Sequence, residues 1–302
     1  MRRDGGPGRT GSAGDGDGWV RCDLGHRHWG RYGAAGLLLR DGAGTHRVVL
    51  QHRAWWSHQG GTWGVPGGAR DSAETAVQAA LRETSEEAGL DPASVRPTGL
   101  LVDDHGGWSY STVVGEPLGA VQPRPTGGES EDVRWVTAAD LATLPLHPGF
   151  AATWPRLRAA PPGLTVVVDA ANVVGARGAG DGWWRDRAAA TGRLLEALAP
   201  LADGLSAAEL PAEVPAGGMH LLLPRLVAVV EGAARSATGP AAVEVVPAPG
   251  SGDDMIVQVA EGAAADGTVV VVTADRGLRN RLDRVGARWV GPSWLLRLAD
   301  SR

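Results

Sequence analysis

Glu83, Glu86 and Glu87 stand at relative positions i, i+3 and i+4. In a helix that spacing places all of them on one face, a turn apart. Carboxylates held so close repel one another and weaken a bare helix. A hard divalent cation removes the repulsion, and Mg2+ combines few carboxylates with waters and substrate phosphates. The chemistry this suits is hydrolysis of a phosphoanhydride, with the ion polarising the phosphoryl group, activating a water and neutralising the leaving phosphate. Acidic runs are also the ordinary solvated faces of helices, so the carboxylates have to be read in their context.

The elements that would position them can be read from residues 63–90. GARDSAETAVQAALRETSEEAGL (68–90) reads as a helix over 71–90, with Asp71 as N-cap, Glu74 completing a capping box, and Gly89 in the left-handed C-terminal position. WGVPGG (63–68) just ahead reads as a turn whose glycines let backbone approach a bound ion.

With its fixed gaps, the 68–90 segment resembles the Nudix box: Gly68, Glu74, Arg82, Glu83, Glu86, Glu87 and Gly89 fall on the motif positions, and Thr84 stands where an apolar residue is usual. Seven matched positions next to a Pro-Gly-Gly turn favour the metal site over the solvated face. The resemblance covers residues 19–158 and implies a Nudix α/β/α sandwich with a loop–helix–loop catalytic motif. It implies Glu83, Glu86 and Glu87 as Mg2+ ligands (Mn2+ in its place), one of them serving as base, Arg82 as an orienting ion-pair partner, and Gly67 or Gly68 as a carbonyl ligand. MutT-like members often add a glutamate from a later loop; Glu129 is the candidate, with Glu131 behind it.

The substrate implied is a nucleotide or other nucleoside diphosphate-linked compound, cut at its pyrophosphate. Trp55, Trp56, His58 and Trp63 in HRAWWSHQGGTW offer faces for stacking on a base; the alternative is that these rings pack against the sheet. No downstream NADH-pyrophosphatase signature is present.

The second half carries acids at the ends of apolar runs. Buried-strand runs at 164–168, 226–230, 243–246, 269–273 and 287–290 alternate with helical stretches at 184–198, 254–264, 276–285 and 292–298. That alternation indicates a second three-layer α/β domain with a mainly parallel sheet. Asp169, Glu231 and Asp275 follow strands, and Asp253 and Asp254 open a helix, so they would gather at the carboxyl edge of the sheet. The plainer reading is that strand-end acids cap the next helix. Asp169 with Asn172, Asp253–Asp254, and Thr273-Ala274-Asp275-Arg276 resemble the NYN group of PIN-like nucleases. That resemblance implies a pocket for Mg2+ or Mn2+ that hydrolyses RNA, with Glu231 where Asp is common. Arg276, Arg279, Arg281, Arg284 and Arg288 either contact RNA phosphates or form a solvated face. GARGAGDG (175–182) lacks a dinucleotide-binding spacing and reads as a mobile loop.

The expected domains are a disordered tail at 1–18, the first domain at 19–158, a linker at 159–163 where a proline-rich break begins at Pro155, and the second domain at 164–302. At 302 residues, 43% hydrophobic and 21% charged, the chain has an ordinary globular composition. All its Lys/Arg positions are Arg, and a net charge of −5 gives no global attraction to nucleic acid or anionic membrane. Cys22, the only cysteine, rules out an internal disulfide, and no thiolate zinc pattern is visible. The opening stretch lacks the apolar core of a signal peptide, and no apolar run reaches a spanning length; a cytoplasmic protein is expected. Three functions compete: a Nudix enzyme with a nuclease or RNA-binding second domain, a nucleotide-sensing module regulating a PIN-like ribonuclease, and a protein that is chiefly a ribonuclease.

Overall fold

The computed structural model describes residues 14–41, 47–177 and 184–302. The chain forms two compact units, Met1–Ala160 and Pro161–Arg302. The expected disorder of residues 1–13, and the 178–182 part of the loop expected to be mobile, lie outside the described residues.

The first unit begins with an antiparallel hairpin of β1 (Trp19–Arg21) and β2 (Arg27–Trp29). Its main sheet contains β3 (Ala34–Leu39), β6 (Gly67–Ala69), β7 (Val95–Asp104) and β8 (Ser109–Pro117) in the order β7-β8-β3-β6. β3 runs parallel to β8, while the other pairs are antiparallel. A second sheet is ordered β5-β4-β9, from β4 (Arg47–Arg53), β5 (Trp63–Gly64) and β9 (Ser130–Thr137). β7, VRPTGLLVDD, holds both Pro and Gly. The register shifts between Pro97 and Gly99, and a bulge is where a sheet tolerates those residues.

Helix α1 (Ala76–Ala88) packs Ala79, Ala80 and Ala88 against Ala35, Leu37 and Leu39 of β3 and Val113 of β8. It starts later than the motif suggests. Thr75 is the N-cap, and its hydroxyl accepts from the Gln78 amide while the Gln78 side chain accepts from the Thr75 amide. Asp71 and Glu74 instead close a turn ahead of the helix, with the Asp71 amide donating to Glu74 Oε2 at 3.0 Å. Glu74 accepts from Arg82 as well as from the Asp71 amide, and the cap of α1 itself is made at Thr75, four residues after Asp71. Gly89 takes the left-handed conformation at φ 63°, as expected. Thr84 is buried and its hydroxyl donates to the Ala80 carbonyl at 2.7 Å, so the polar residue at an apolar position leaves nothing unpaired.

Residues 14–18, expected in the disordered tail, are held in place. Asp15 accepts from both the amide and the hydroxyl of Ser72, and the Gly16 amide donates to Asp71 Oδ1. The break expected from Pro155 is also absent there. After the short α2 (Ala138–Leu141), α3 (Pro148–Arg158) continues through Pro155 and buries Phe150 and Leu157.

The second unit is built on five parallel strands, ordered β13-β12-β10-β14-β15: β10 (Leu164–Asp169), β12 (Arg225–Val230), β13 (Val243–Pro247), β14 (Thr268–Val272) and β15 (Arg288–Val290). The two-residue β11 (Leu221–Leu222) bridges to Leu205. Helices α4 (Ala170–Ala176), α5 (Arg187–Leu198), α6 (Gly252–Ala264), α7 (Arg276–Leu282) and α8 (Pro292–Asp300) connect the strands. Val167, Val229, Val269 and Val271 share a core with Ile256, Ala260, Leu278 and Leu282. Among the described residues no helix is long and apolar enough to cross a membrane.

Candidate active site

Residues 63–69 set the first site. They are more than a turn: Trp63–Gly64 pairs with β4 in one sheet and Gly67–Ala69 with β3 in the other. Val65 and Pro66 therefore carry the chain between sheets, and Gly67 and Gly68 arrive alongside α1. Glu83 and Glu87 extend the row begun by Ala79, which packs on the sheet, so their carboxylates lie inward, 5% and 9% exposed. The Gly67 amide donates to Glu87 Oε2 at 2.8 Å. A Cβ on Gly68 would come within 2.6 Å of the Glu83 carboxyl, so the glycine is what lets that carboxylate lie against the backbone. Glu86 is half-exposed.

Arg82 ties the pieces together. Its Nε and Nη2 donate to the two oxygens of Glu74 at 2.7 and 2.8 Å, Nη2 also reaches the Ala69 carbonyl at 3.0 Å, and Nη1 donates to Glu83 Oε1 at 2.8 Å. The Arg82 hydrogen bonds hold the Glu74 carboxyl below its ordinary range. Burial, with Glu83 beside it, pushes the Glu87 carboxyl up to about 8, against the pull of the Gly67 amide. Burial also raises the Tyr110 phenol, whose hydroxyl lies beside Gly36 and Gly67.

These residues fit a hard divalent cation. The donors are all oxygens, two of the carboxylates are buried against each other, and Gln51 Oε1 is buried without a hydrogen-bond partner. In the absence of a cation the Glu87 site favours a proton, so positive charge is what the pocket lacks. A cavity of about 260 Å3 opens beside them, lined by Asp17, Ala69, Asp71, Arg82, Glu83 and Glu86. Asp17 belongs to the segment expected to be disordered, and nothing in its sequence marks it as part of the cavity wall.

The loop that carries Glu129 is fastened to the end of α1: the Arg124 amide donates to the Ala88 carbonyl, the Thr126 hydroxyl to Glu86 and the Thr126 amide to Glu87. Glu129 is half-buried in the turn before β9. Glu131 points elsewhere, accepting from the Trp55 amide and pairing with His52. Trp55 is 78% exposed and presents an open indole. His58 meets Trp19 edge-on at 5.5 Å. Trp63, a candidate for base stacking, is only 6% exposed, stacked on His52 at 4.9 Å with the Arg134 guanidinium 4.7 Å away. Its faces are occupied, so it packs the sheet rather than a ligand.

In the second unit the strand order changes direction between β10 and β14, the switch point at which parallel sheets form their crevices. Asp169 ends β10; its carboxylate accepts from the Asn172 amide at 3.1 Å and the Thr273 hydroxyl at 2.9 Å. Asn172 Oδ1 accepts from the Ala274 amide, and the Glu231 carboxylate from the Gly252 amide. Burial raises the Asp169 carboxyl, with Asp253 and Glu231 adding to it; burial raises Asp253 as well, with Asp275 and Glu231 adding. Asp169, Glu231, Asp253 and Asp275 thus share one electrostatic neighbourhood. Asp254 turns away to Arg281 at 2.6 Å. Two of the expected phosphate-binding arginines are committed internally: Arg281 to Asp254, and Arg279 to the Thr273 carbonyl and the Trp289 ring.

Comparison with known proteins bears on the family of the chain. Residues 30–157 match the NUDIX domain model. A Mycobacterium tuberculosis protein named "Putative 8-oxo-dGTP diphosphatase 3" is 58% identical over 159 residues, covering 49% of this chain and 71% of that protein. A Bifidobacterium longum protein named "Nucleoside triphosphate pyrophosphatase/Nudix hydrolase fusion protein" is 44% identical over 151 residues, covering 48% of this chain and 31% of that one. The crystal structure of RenU, a Nudix hydrolase from M. smegmatis, is 50% identical and covers 47% of this chain and 93% of that chain, with a TM-score of 0.45. With residues 30–157 matching the NUDIX domain model and a 58% identical relative covered over 71% of its length, the chain belongs to the Nudix hydrolase family.

Proposed function

We propose that the first unit is a Mg2+-dependent nucleoside triphosphate pyrophosphohydrolase, with an oxidised purine nucleotide such as 8-oxo-dGTP as its leading substrate. The supporting observation is the buried pair Glu83–Glu87, fastened at Gly67 and Gly68 and open to a cavity through Glu86. A divalent ion on these carboxylates would supply Lewis acidity and an activated water. The chain's own residues do the positioning. Arg82 fixes Glu83 from one side while Glu74 fixes Arg82, and the planar guanidinium can serve both because it donates as a fork. In this reading Glu86, the most accessible of the three, would orient the attacking water. Glu129, on the loop fastened to this end of α1 through Arg124 and Thr126, would be the further acid, and the exposed Trp55 the face for a base.

The diphosphatase named among the relatives supports this substrate class. The test is product identification from nucleoside triphosphates, including 8-oxo-dGTP, with Mg2+. Nucleoside monophosphate and pyrophosphate are expected from the wild type, and neither from Glu87→Gln. Wild-type turnover in both Glu86→Gln and Glu87→Gln would sink the proposal, while tight binding without turnover at any metal concentration would favour the nucleotide-sensing module. The intact glutamates argue against that alternative, because a sensor does not need them.

For the second unit we propose a PIN-like, metal-dependent ribonuclease or RNA-binding domain. It rests on the gathering of Asp169, Glu231, Asp253 and Asp275 at the switch point, with Asn172 holding the Thr273–Asp275 loop.

A further inference from the structure

Four side chains of metal-ligating type, outside the glutamate site, converge in the first unit. Cys22, His26, His28 and His105 each place one ligand atom within 4.8 Å of all the others. The sequence discourages this reading, since a lone cysteine has no partner thiolate. Its partners are imidazoles, and one of them comes from a turn far along the chain.

The fold brings them together through the hairpin. Cys22 and His26 close the β1–β2 turn, with the Cys22 amide donating to the His26 carbonyl, and His28 lies within β2. His105 lies in the β7–β8 turn. The two turns are joined by the Asp23 amide, which donates to the Gly106 carbonyl at 2.9 Å. Gly106 permits the approach: its φ is +70°, and a Cβ there would come within 2.6 Å of Asp23 Oδ2.

A second observation indicates that the cluster is built for a ligand. His28 Nε2 and His105 Nδ1 are both buried with no hydrogen-bond partner, and buried polar atoms are seldom left so. The other nitrogen of His105 lies 3.2 Å from Asp103 Oδ2. An imidazole that donates there keeps its lone pair on Nδ1, and a carboxylate behind a histidine is how metal-binding imidazoles are usually fixed. His28 is held in orientation by stacking on Trp108 at 3.9 Å, and Trp108 Nε1 is anchored on the Gly30 carbonyl.

We propose that Cys22, His26, His28 and His105 form a closed structural site for Zn2+. One thiolate and three imidazoles suit a borderline-soft ion and disfavour the hard Mg2+ assigned to the glutamates. Tetrahedral zinc sets neighbouring ligand atoms about 3.4–3.6 Å apart, so the cluster closes by small side-chain rotations. All four positions are taken by protein, which makes the ion a fastener. What it fastens is the hairpin to the β7–β8 turn, and with the hairpin the preceding segment, where Gly16 and Gly18 accept from Arg31 and Gly30 and Asp17 lines the cavity beside Glu83.

The test uses full-length, tag-free protein made with zinc, dialysed and assayed for metal by mass spectrometry. One zinc per chain is expected in the wild type and in Glu87→Gln, and none in Cys22→Ser or His105→Asn. Because those variants can misfold, wild-type apoprotein is also loaded with Co2+. Intense tetrahedral visible bands with thiolate charge transfer are expected, the latter lost in Cys22→Ser. Asp103→Asn is expected to bind zinc about 10- to 100-fold more weakly. Zinc in the wild type no higher than in Cys22→Ser, or only the weak bands of octahedral Co2+, would overturn the proposal. Neither result bears on the glutamates, whose readout is Mg2+-dependent turnover.

Discussion

The Gly67 amide donates to Glu87 Oε2 at 2.8 Å across twenty residues of sequence. One hydrogen bond thereby joins the segment that crosses between the two sheets to the last turn of the glutamate helix. It is the principal backbone contact of a carboxyl that burial pushes up to about 8, and it fixes which way that carboxyl points.

Glu87→Gln keeps the shape and removes the charge. Turnover with Mg2+ is expected to fall more than about 100-fold, beyond the 10- to 100-fold typical of losing a residue behind the ligands. The pH dependence follows from the raised value. Between the ordinary carboxylate value of 4.5 and about 8 the folded protein holds a proton that the unfolded chain has released. The metal-free protein is therefore most stable below this window and loses stability as pH rises through it, by at most ~1.4 kcal/mol per unit. Thermal melts in chelator should show that decline in the wild type, a flatter profile in Glu87→Gln, and relief of the decline by Mg2+.

Gly68→Ala puts a methyl where the Glu83 carboxyl now lies, 2.6 Å from its carbon. Glu83 must swing away, and Mg2+ affinity measured by calorimetry is expected to fall at least about 10-fold. Circular dichroism should remain that of the wild type, since the clash is with a side chain rather than with the strand.

Thr75→Ala removes the true cap of α1. The expected cost is ~1 kcal/mol, a fall in Tm of roughly 2–4 °C. Asp71→Ala should leave α1 intact and act on residues 14–18, where it removes the acceptor of the Gly16 amide; faster hydrogen exchange at Gly16 is the measurement. Equal destabilisation of α1 by both variants would contradict this assignment of the cap.

Asp169→Asn addresses the second unit. Mn2+- or Mg2+-dependent cleavage of single-stranded RNA is expected from the wild type and from Glu87→Gln, and is expected to drop at least about 100-fold in Asp169→Asn. The reverse pattern would place any nuclease activity in the first unit. Substitution of Asp254, which faces Arg281, is expected to change the rate less than about 3-fold, within the range of an exposed ion pair.

Much of this protein is legible along the chain, because local rules produced it. The motif spacing from Gly68 to Gly89 fixes which carboxylates share a helix row, Gly89 ends that helix in the conformation glycine favours, and continuous valine runs such as Val166–Val168 mark strands buried on both faces. What the tertiary structure decided are matters of competition and distance. Asp71 and Glu74 read as a capping box, and they do close a turn, but the helix is capped at Thr75, where Gln78 supplies the reciprocal bond. Residues 14–18 look disordered by composition, yet their backbone finds partners on Asp71 and Ser72. Trp63 has the chemistry of a stacking platform and spends it on His52 and Arg134. Cys22 and His105 show no relationship in sequence, because what brings them together is the docking of one turn on another. Periodicity reports which face a residue takes, while only packing determines which distant residue meets it there.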